Sequence, residues 1–327
     1  MSYLSKYYIM AENELNLRKN NNTEIQRANI ERAEKTIPQI KELRRQVAEQ
    51  GARLSAVLLN GSNAKQAVRD ISVKTIEIKH KIKELLVSNG FDEHFLDPVY
   101  SCEKCKDSGL FEGKRCSCFM NAVRKFQCAD LNKASGMNLC SFDTFDITLY
   151  PDKTVNGNKD TIRQTMEMVY SYCVKYARDF HLPCKGILML GATGLGKTHL
   201  SLAIGNEVIK SGYGVIYGSA PDLFRKVEKE HFNKEEETDT APILQDCDLL
   251  ILDDLGAEFD SKFNQAFLYN LINTRMNKGN PTIISTNSTL SELKERYGER
   301  ILSRLLTMEN LPFCGNDIRI LKNMSKK

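Results

Sequence analysis

A glycine-rich stretch near the middle of the chain has the residue types and spacing needed to hold a nucleoside triphosphate. Residues 191–198 read G-x-x-x-x-G-K-T, between the short apolar run 187–190 and a segment with helical periodicity. There the backbone N–H groups of the glycine turn surround phosphate oxygens, and the helix N-terminus adds a partial positive charge. An ordinary glycine turn before a helix is the alternative. The predicted nucleotide-binding residues, with ATP as the nucleotide, are Gly191, Ala192, Thr193, Gly194, Leu195, Gly196, Lys197, Thr198 and His199.

Two consecutive carboxylates follow another apolar run and complete the metal part of this chemistry. Residues 249–252 read L-L-I-L and lead directly into Asp253 and Asp254. Thr198 and Asp253 are the predicted Mg²⁺ ligands, and Lys197 is expected to reach the β- and γ-phosphates. Asp254 is the predicted general base for the attacking water. A surface turn with two adjacent aspartates is the alternative.

Two further polar residues are candidates for roles close to the phosphates. Glu258 lies four residues beyond Asp254 and is a rival for the base. Asn287 follows a predicted strand at 281–286 that ends in polar residues, at a position where its amide can reach the γ-phosphate or the attacking water. On local sequence alone, Asn287 could equally cap the next helix.

Arginines at four-residue spacing near the C-terminus predict a second contribution to phosphate chemistry. Arg296, Arg300 and Arg304 would form one basic stripe along a helix. One interpretation is a solvated face, with Glu292 paired to Arg296. The other is an arginine that enters a neighbouring subunit's site, where its planar guanidinium neutralises the transferring phosphoryl group. Arg304 is the first choice and Arg300 the second, and this role requires head-to-tail self-association.

The spacing of one group of cysteines predicts a metal site. Cys102 and Cys105 form a C-x-x-C pair, and Cys116 and Cys118 form a C-x-C pair after a glycine-containing hairpin. Four thiolates can surround Zn²⁺ tetrahedrally, and such a closed site is structural. Reduced, unligated thiols are the alternative, and Cys128 is close enough in sequence to replace one ligand. We interpret the other cysteines as small core residues.

One short stretch offers contacts for single-stranded DNA. Phe224, Arg225, Lys226 and Lys229 could line a channel and meet bases and phosphates. A solvated surface helix explains them equally well, and the acidic run 235–237 limits the patch.

The composition indicates the class of protein that carries these sites. The chain has 327 residues, 41% of them hydrophobic, and a formal net charge of +4. That length allows two domains, and the mild basicity permits contact with nucleic acid. No apolar run is long enough for a membrane span and no secretory signal is recognised, so we expect a cytoplasmic protein. Ten cysteines in a reducing compartment favour metal ligation or buried thiols over disulfides.

Periodicity indicates the elements that must position these residues. Thr23 is the predicted cap of a helix that runs to Leu43 with a break at Pro38, and a turn at 60–63 precedes a second helix ending at 89–90. Apolar strands then alternate with helices, which predicts an α/β doubly wound parallel sheet. The predicted domains are a helical, docking domain at 1–98, a zinc-binding module at 99–120, a connector at 121–160 and a nucleotide-binding domain at 161–327.

Taken together, these motifs resemble the AAA+ ATPases and, among them, the bacterial replicative helicase loaders of the DnaC/DnaI type. The resemblance covers most of the chain from about Cys102 onward and includes S-F-D-T-F-D at 141–146 and L-G-A-E at 255–258. It implies an AAA+ P-loop fold in which ATP acts as a switch. It also implies that the N-terminal helices bind the hexameric replicative DNA helicase, and that the self-associating ATPase domain delivers this helicase onto single-stranded DNA.

The chain departs from the general AAA+ pattern in two places. Most members end the metal-binding strand with Asp-Glu, whereas Asp254 follows Asp253 here, and the shorter side chain predicts slow, partner-stimulated hydrolysis. Only 307–327 follow the last predicted helix, too few residues for a full helical lid, and Arg319 could replace an arginine of that lid. The alternatives are a transposition helper ATPase that binds duplex DNA and a transposase, a non-hydrolysing adaptor, and a small-molecule kinase.

Overall fold

Two compact units make up the chain. The computed structural model describes residues 3–60, 64–134, 140–154, 160–232 and 240–320. The helical unit is Glu12–Cys118, and the sheet unit is Met1–Ala11 together with Phe119–Lys327. Among the helices in the described ranges, none combines the length and the apolar character required to cross a membrane.

Long helices account for most of the helical unit. They are α1 (Tyr3–Thr36), whose residues up to Ala11 belong to the sheet unit, α2 (Pro38–Asn60) and α3 (Ala64–Ser88). The predicted break at Pro38 is confirmed, because proline is tolerated at the first position of a helix and α2 begins there. The predicted stop after α3 is also confirmed, and Gly90 has a φ of +77°. Of the predicted turn at 60–63, residues 61–63 lie outside the described residues.

The predicted start of the first helix at Thr23 is wrong. Thr23 lies inside α1, where its hydroxyl donates to the carbonyl of Lys19 at 2.8 Å. Tyr7, Ala11 and Leu15 are buried at four-residue spacing near the start of this helix. The stripe contains only three residues and is interrupted by polar ones, so the hydrophobic periodicity of the sequence does not reveal it.

Helices α2 and α3 pack against each other through a small apolar cluster. Ile40 on α2 is buried with Ile82 and Leu86 on α3, and Ala33 and Ile37 complete the cluster. Burial of each large aliphatic side chain contributes about 1.5–3 kcal/mol. Apolar packing is therefore the main source of stability for this helical pair.

The sheet unit is built on a five-stranded parallel sheet in the order β4-β5-β6-β3-β7. The strands β1 and β2 form a separate antiparallel hairpin, which belongs to the helical unit. All strands predicted from apolar runs are present, which confirms the doubly wound α/β fold. The elements after α3 are β1 (Leu110–Phe111), β2 (Lys114–Arg115), α4 (Ser117–Ala134), α5 (Ile162–Arg178), β3 (Ile187–Leu190), α6 (Lys197–Lys210), β4 (Val215–Ser219), α7 (Ala220–Phe232), α8 (Thr240–Asp246), β5 (Leu249–Leu255), α9 (Lys262–Lys278), β6 (Thr282–Thr286), α10 (Leu290–Leu305) and β7 (Glu309–Pro312).

Strand β7 is the one strand of this sheet that the sequence did not predict. It pairs in parallel with β3, from Ile187 opposite Glu309 to Leu190 opposite Pro312. Leu311 is the one fully buried residue of this strand, so no apolar run marks it. Its position at the edge of the sheet explains why a proline is tolerated there.

Helices cover both faces of the sheet. Leu188 on β3 faces the layer in which Phe224 of α7 is buried, and Met189 faces the layer in which Leu200 of α6 is buried. This alternation follows from the two-residue period of a strand. Both faces of the central strands are apolar, so the polar residues of the sheet concentrate at its carboxyl edge.

Residues 121–160, predicted to be a connector, contain ordered structure in their described parts. Helix α4 is followed by short 3-10 helices at Phe142–Thr144 and Ile147–Leu149. Tyr150 is fully buried, and Phe145 is almost completely buried, in the same apolar cluster as residues of α5 and α6. This segment therefore contributes to the core of the sheet unit.

A buried arginine connects parts of the sheet unit that are distant in sequence. The side chain of Arg275 on α9 is completely buried. Its guanidinium donates to the carbonyls of Leu244, Cys247 and Pro281 and to the hydroxyl of Thr282. The Arg275→Met variant is expected to lose about 3–5 kcal/mol of unfolding free energy, because these buried acceptors would lose their donors.

Equilibrium urea unfolding followed by circular dichroism measures this loss. Lys278→Met is the matched control, because Lys278 lies three residues further along α9 and makes an exposed ion pair with Asp246. The control should change the unfolding free energy by less than about 1 kcal/mol. Equal effects of the two substitutions would show that the buried guanidinium does not stabilise the fold.

Candidate nucleotide-binding site

The glycine-rich turn connects the end of β3 to the first residue of α6, Lys197. Gly194 and Gly196 have φ values of +80° and +88°, a region that favours glycine. A side chain at Gly196 would also come within 2.8 Å of Phe145, and one at Gly194 within 2.1 Å of the Asp317 carboxyl group. The turn therefore requires glycine at both positions, and it leaves the start of α6 open to an anion.

Aromatic residues of the preceding segment support this turn. The buried hydroxyl of Tyr150 donates to the carbonyl of Leu195 at 2.8 Å. Burial raises the pKa of Tyr150, so the hydroxyl keeps its proton. Phe145 stacks on Tyr150 with 5.8 Å between ring centroids and lies edge-on to His199 at 5.5 Å. Sequence reasoning missed Tyr150, since no local pattern relates it to a turn 45 residues away.

The ammonium group of Lys197 lies at the centre of the site. It donates to the carbonyls of Gly191 and Ala192 at 2.6 and 2.7 Å and to Oδ1 of Asn287 at 2.7 Å. Burial lowers the pKa of Lys197, while the charges of nearby Asp254 and Asp253 oppose this effect. The structure thus brings together the predicted phosphate-binding lysine and the predicted asparagine at the ends of neighbouring strands β3 and β6.

Asp253 has the surroundings expected of a metal-binding carboxylate. It is buried, and it accepts hydrogen bonds from the hydroxyls of Thr198 at 2.9 Å and Tyr217 at 3.1 Å and from the Ser285 hydroxyl. Burial, and next the charge of Asp253, raises the pKa of Tyr217. A carboxylate and a hydroxyl in contact form the all-oxygen donor set that suits Mg²⁺. Thr198 and Asp253 can therefore hold Mg²⁺ together.

Asp254 lies beside this pair in an unusual backbone conformation. Its φ is +56°, a left-handed value that few residues other than glycine adopt. Its carboxylate accepts from the amide of Asn287 at 3.2 Å, and its backbone N–H donates to the Ser285 hydroxyl at 3.0 Å. The contact with Asn287 joins the predicted base to Lys197.

These residues surround one cavity of about 370 Å³. Residues 193–199 line it, and the other two predicted nucleotide-binding residues, Gly191 and Ala192, contact the Lys197 ammonium. Its remaining lining residues are Cys140, Asp254, Asn287, Ile318 and Arg319. An ammonium, a helix N-terminus, the Asp254 carboxylate and an amide line the cavity, and Asp253 contacts its lining residue Thr198, so the site can bind a triphosphate with its metal ion.

The comparisons with known proteins agree with this geometry. Residues 177–319 match a family model described as IstB-like ATP binding protein. The replicative helicase loader DnaC of Escherichia coli (strain K12) is 27% identical over 132 residues, which cover 40% of this chain and 54% of DnaC. The predicted resemblance to helicase loaders of the DnaC type is confirmed.

Other relatives extend the comparison. YdaV of Escherichia coli (strain K12) is 23% identical over 239 residues, covering 72% of this chain and 89% of YdaV. The crystal structure of the DnaC helicase loader aligns with 53% of this chain and 98% of that chain, at 23% identity and a TM-score of 0.44. The alignment with the curated DnaC relative spans about half of that protein's length.

Glu258, the rival for the base, is not among the residues that line the cavity. Its carboxylate is buried and accepts from the backbone N–H of Gly256 and from the Tyr297 hydroxyl, with the Arg296 guanidinium beside it.

The predicted pairing of Arg296 with Glu292 is wrong. Glu292 instead accepts from Thr289 at the start of α10, in a capping box.

The predicted arginines do not form one continuous stripe. Gly298 breaks α10 with φ +79° and ψ 168°, so Arg296 lies in a different helical segment from Arg300 and Arg304. Four-residue spacing indicates one face only while the helix continues. Sequence reasoning gave the glycine too little weight, although it was visible between the arginines.

Arg304 is half-buried on the second segment of α10 and has defined contacts. Its guanidinium donates to Oδ1 of Asn273 at 3.1 and 3.0 Å and to the Tyr269 hydroxyl at 2.9 Å, and it lies 4.4 Å from the centre of the Tyr269 ring. It is not among the residues that line the cavity of its own subunit. Arg300 is exposed on the same segment.

The predicted DNA contact at Phe224 is wrong. Phe224 is 1% exposed and packs edge-on against Phe267 in the core, because α7 is amphipathic and this residue lies on its apolar face. The basic residues of the same stretch remain accessible on α7. Arg225 and Lys229 are exposed and Lys226 is half-buried.

The cysteines predicted to bind metal meet in the helical unit. The Sγ atoms of Cys102, Cys105, Cys116 and Cys118 all lie within 4.8 Å of one another. Zn–S bonds of about 2.3 Å in a tetrahedron place sulfurs about 3.8 Å apart, so this set fits Zn²⁺. A hydrogen bond from the backbone of Cys118 is the main cause that lowers the pKa of Cys116 to about 7, whereas burial raises the pKa values of Cys105 and Cys118. Cys128, the predicted substitute ligand, is buried in the core of the sheet unit.

Asp107 supports the first cysteine pair, and sequence reasoning missed it. Its buried carboxylate accepts the backbone N–H groups of Ser101 and Cys102, both at 2.9 Å, and the amide of Asn22 at 2.8 Å. An aspartate two residues after a C-x-x-C pair is the sequence signal that could have revealed this role. Such contacts fix the orientation of the segment that carries metal ligands.

Proposed function

We propose that this protein is an ATP-dependent loader that binds the hexameric replicative DNA helicase and delivers it onto single-stranded DNA at replication initiation. The observation that carries this proposal is the convergence of the nucleotide residues on one cavity, in a domain related to a protein named replicative helicase loader. ATP serves as the assembly switch. The site of action is the cytoplasm.

Within one subunit, Lys197 and the start of α6 bind the β- and γ-phosphates. The ammonium exchanges its present acceptors, the carbonyls of Gly191 and Ala192, for phosphate oxygens. Thr198 and Asp253 hold Mg²⁺, which when bound neutralises phosphate charge.

Asp254 then accepts the proton of the attacking water, and Asn287 orients that water through its contacts with Lys197 and Asp254. We propose that this hydrolysis is slow in the isolated protein. The shorter carboxylate of Asp254 reaches less far than the glutamate common in AAA+ proteins, and Asn287 already occupies one of its oxygens. Partner binding would then increase the rate by reorganising this site.

The neighbouring subunit completes the site in this proposal. Arg304 projects from the second segment of α10 and is oriented by Asn273 and Tyr269. A guanidinium in that position can neutralise charge on the transferring phosphoryl group of the adjacent subunit, which requires head-to-tail association. Arg300, one turn earlier, is the alternative donor.

The Arg304→Ala variant is expected to lower ATP hydrolysis by the assembled protein about 1,000-fold. Because the arginine acts on the neighbour, adding Lys197→Ala subunits should restore part of the rate. Those subunits lack a working ATP site but still supply Arg304. Phosphate release from each variant and from equimolar mixtures measures this rescue.

Lys294→Ala is the matched control on α10, since Lys294 is exposed and pairs with Glu299. It should hydrolyse ATP at the parental rate. If the mixture of Arg304→Ala and Lys197→Ala subunits stayed inactive, Arg304 would not act between subunits.

We further propose that the helical domain at 1–98 binds the helicase and that one Zn²⁺, held by the four cysteines, stabilises the module at 99–120. Exposed Arg225 and Lys229, with Lys226, are the proposed contacts for single-stranded DNA. The connector at 121–160 and the ATPase domain at 161–327 complete the proposed organisation.

The decisive experiment is to mix the full chain with the replicative helicase of its own host, with and without ATP, and measure the mass of the complex. A loader should form a complex of defined stoichiometry that changes with ATP. The Lys197→Ala variant should bind the helicase without this ATP response. Failure to form a complex in any nucleotide state would contradict the proposal.

A transposition helper ATPase is the second candidate. The match of residues 177–319 to the family model described as IstB-like ATP binding protein favours the transposition helper. Duplex DNA binding that is tighter than binding to the helicase, together with capture of a transposase, would support the helper role. Helicase binding with preference for single-stranded DNA would support the loader.

A further inference from the structure

A buried carboxylate connects the turn after β5 with the middle of α10. One oxygen of Glu258 accepts the backbone N–H of Gly256 at 3.0 Å. The other accepts the Tyr297 hydroxyl and lies 3.5 Å from Nε of Arg296, whose guanidinium also donates to the Glu258 carbonyl. The side chain of Glu258 is 2% exposed, so these contacts replace its hydration.

The cluster also involves the backbone around it. Burial and the contact with Glu258 raise the pKa of Tyr297, so its hydroxyl keeps the proton that it donates. The side chain of Gln265, on α9, donates to the backbone carbonyl of Arg296 at 2.8 Å. Side-chain and main-chain contacts therefore both hold the end of the first α10 segment.

The cluster lies directly before the break in α10. Gly298 has φ +79° and ψ 168°, a combination that is essentially restricted to glycine. A side chain there would meet no atom within 4 Å, so the backbone conformation and not the available space requires glycine. The segment that follows, 299–305, carries Arg300 and Arg304.

At its other end, the cluster holds the turn that carries Asp254. The N–H of Ala257 donates to the carbonyl of Asp254 at 3.1 Å, and Gly256 has a φ of +103°. Glu258 binds the N–H of this glycine, and Asp254 lines the nucleotide cavity. The same short turn therefore lines the cavity through Asp254 and contacts α10 through Glu258.

We propose that Glu258, with Arg296 and Tyr297, is a positioning residue that sets the arginine-bearing segment 299–305 relative to the turn of Asp254. Each subunit then presents Arg304 in a geometry linked to its own nucleotide site. Glu258 is not the general base in this assignment. The inference rests on the proposed function, specifically on an ATP site shared between subunits.

The physical reason is the cost of separating the partners. The Glu258 carboxylate is buried while the Arg296 side chain is 26% exposed, so separating them leaves the Glu258 charge uncompensated in the interior and the turn and α10 move together. A small displacement of the turn can shift the position of Arg304 through the short segment after Gly298. Misplacement of a catalytic group by about 1 Å reduces rates about 100-fold, so a shift of Arg304 by that distance would strongly lower the rate of ATP hydrolysis.

Mixed subunits test whether Glu258 acts on its own site or through the arginine. The Glu258→Gln variant keeps the shape of the side chain and removes its charge, and its ATP hydrolysis should fall at least about 10-fold. Its affinity for a fluorescent ATP analogue should stay within about twofold of the parent, because Glu258 does not line the cavity. Adding Lys197→Ala subunits should restore the rate, since they supply a correctly placed Arg304.

The rescued rate should equal that of the mixture of Arg304→Ala and Lys197→Ala subunits. If only the Arg304→Ala mixture is rescued, Glu258 acts within its own site and the inference is wrong. If neither mixture is rescued, the shared ATP site fails and the inference fails with it. A parental rate for Glu258→Gln would also overturn it.

Two further variants separate positioning from folding. Tyr297→Phe removes one donor to Glu258 without changing the packing volume, and it should show a smaller loss with the same rescue. If Glu258→Gln lowers the thermal unfolding midpoint below the assay temperature, Tyr297→Phe takes its place in the rescue experiment. Glu295→Gln, on the exposed side of the same helix segment, should hydrolyse ATP at the parental rate.

Discussion

Replacing Lys197 with alanine is expected to lower ATP hydrolysis about 100- to 1,000-fold and to weaken ATP binding. The ammonium contacts the carbonyls of Gly191 and Ala192 and the amide oxygen of Asn287, so it is already at the place where phosphate oxygens enter. Phosphate release and equilibrium binding of a fluorescent ATP analogue measure both losses.

Lys210→Ala is the matched control for this prediction. Lys210 is the last residue of the same helix, is largely exposed and pairs with Glu207 at 2.7 Å. It should leave both quantities unchanged. Asp254→Asn separates the two steps, since it should bind ATP and fail to hydrolyse it. Unchanged ATP affinity in Lys197→Ala would place the phosphates elsewhere.

Replacing Cys105 with serine is expected to release the proposed Zn²⁺ and to unfold the segment that carries the cysteines. Apparent binding free energies of structural Zn²⁺ are about 10–16 kcal/mol, larger than the stability of a typical domain. Cys105 is buried, and its Sγ lies 3.4 Å from that of Cys118. Metal content, circular dichroism and protease sensitivity around 102–118 measure the change.

Cys184→Ser is the control for this prediction, because Cys184 is half-buried and lies outside the cysteine cluster. It should keep one Zn²⁺ per chain and the parental unfolding midpoint. A strong chelator should reproduce the effect of Cys105→Ser on the parent protein. A parent that contains no Zn²⁺ after expression in zinc-supplemented medium and is insensitive to chelation would contradict the site.

Contiguous motifs were the part of this protein that could be predicted best. The glycine turn at 191–198 and the carboxylates near the end of β5 are each encoded in consecutive residues, and local backbone geometry is enough to interpret them. The four cysteines that meet are likewise close in sequence. The predicted strands were found because central parallel strands are buried on both faces and therefore continuously apolar.

Predictions from the sequence were wrong where one local sequence pattern is compatible with two different structures. Phe224 lies in a stretch that mixes apolar and charged residues, and only the packing of α7 decides which side is buried. Arginines at four-residue spacing predicted one stripe, but Gly298 divides their helix. Thr23 is a good cap by residue type, yet the helix continues through it because tertiary contacts stabilise its earlier turns.

The sequence by itself determined that a triphosphate turn, a following pair of carboxylates and a cysteine cluster exist, because each is encoded within a few neighbouring residues. Only the tertiary structure decided their surroundings. It joined Lys197 to Asn287 and Glu258 to Tyr297, and it supported the turn with Tyr150. These contacts connect residues 39 to 90 positions apart, and the folded sheet and helices bring such distant positions together in ways that sequence periodicity does not specify.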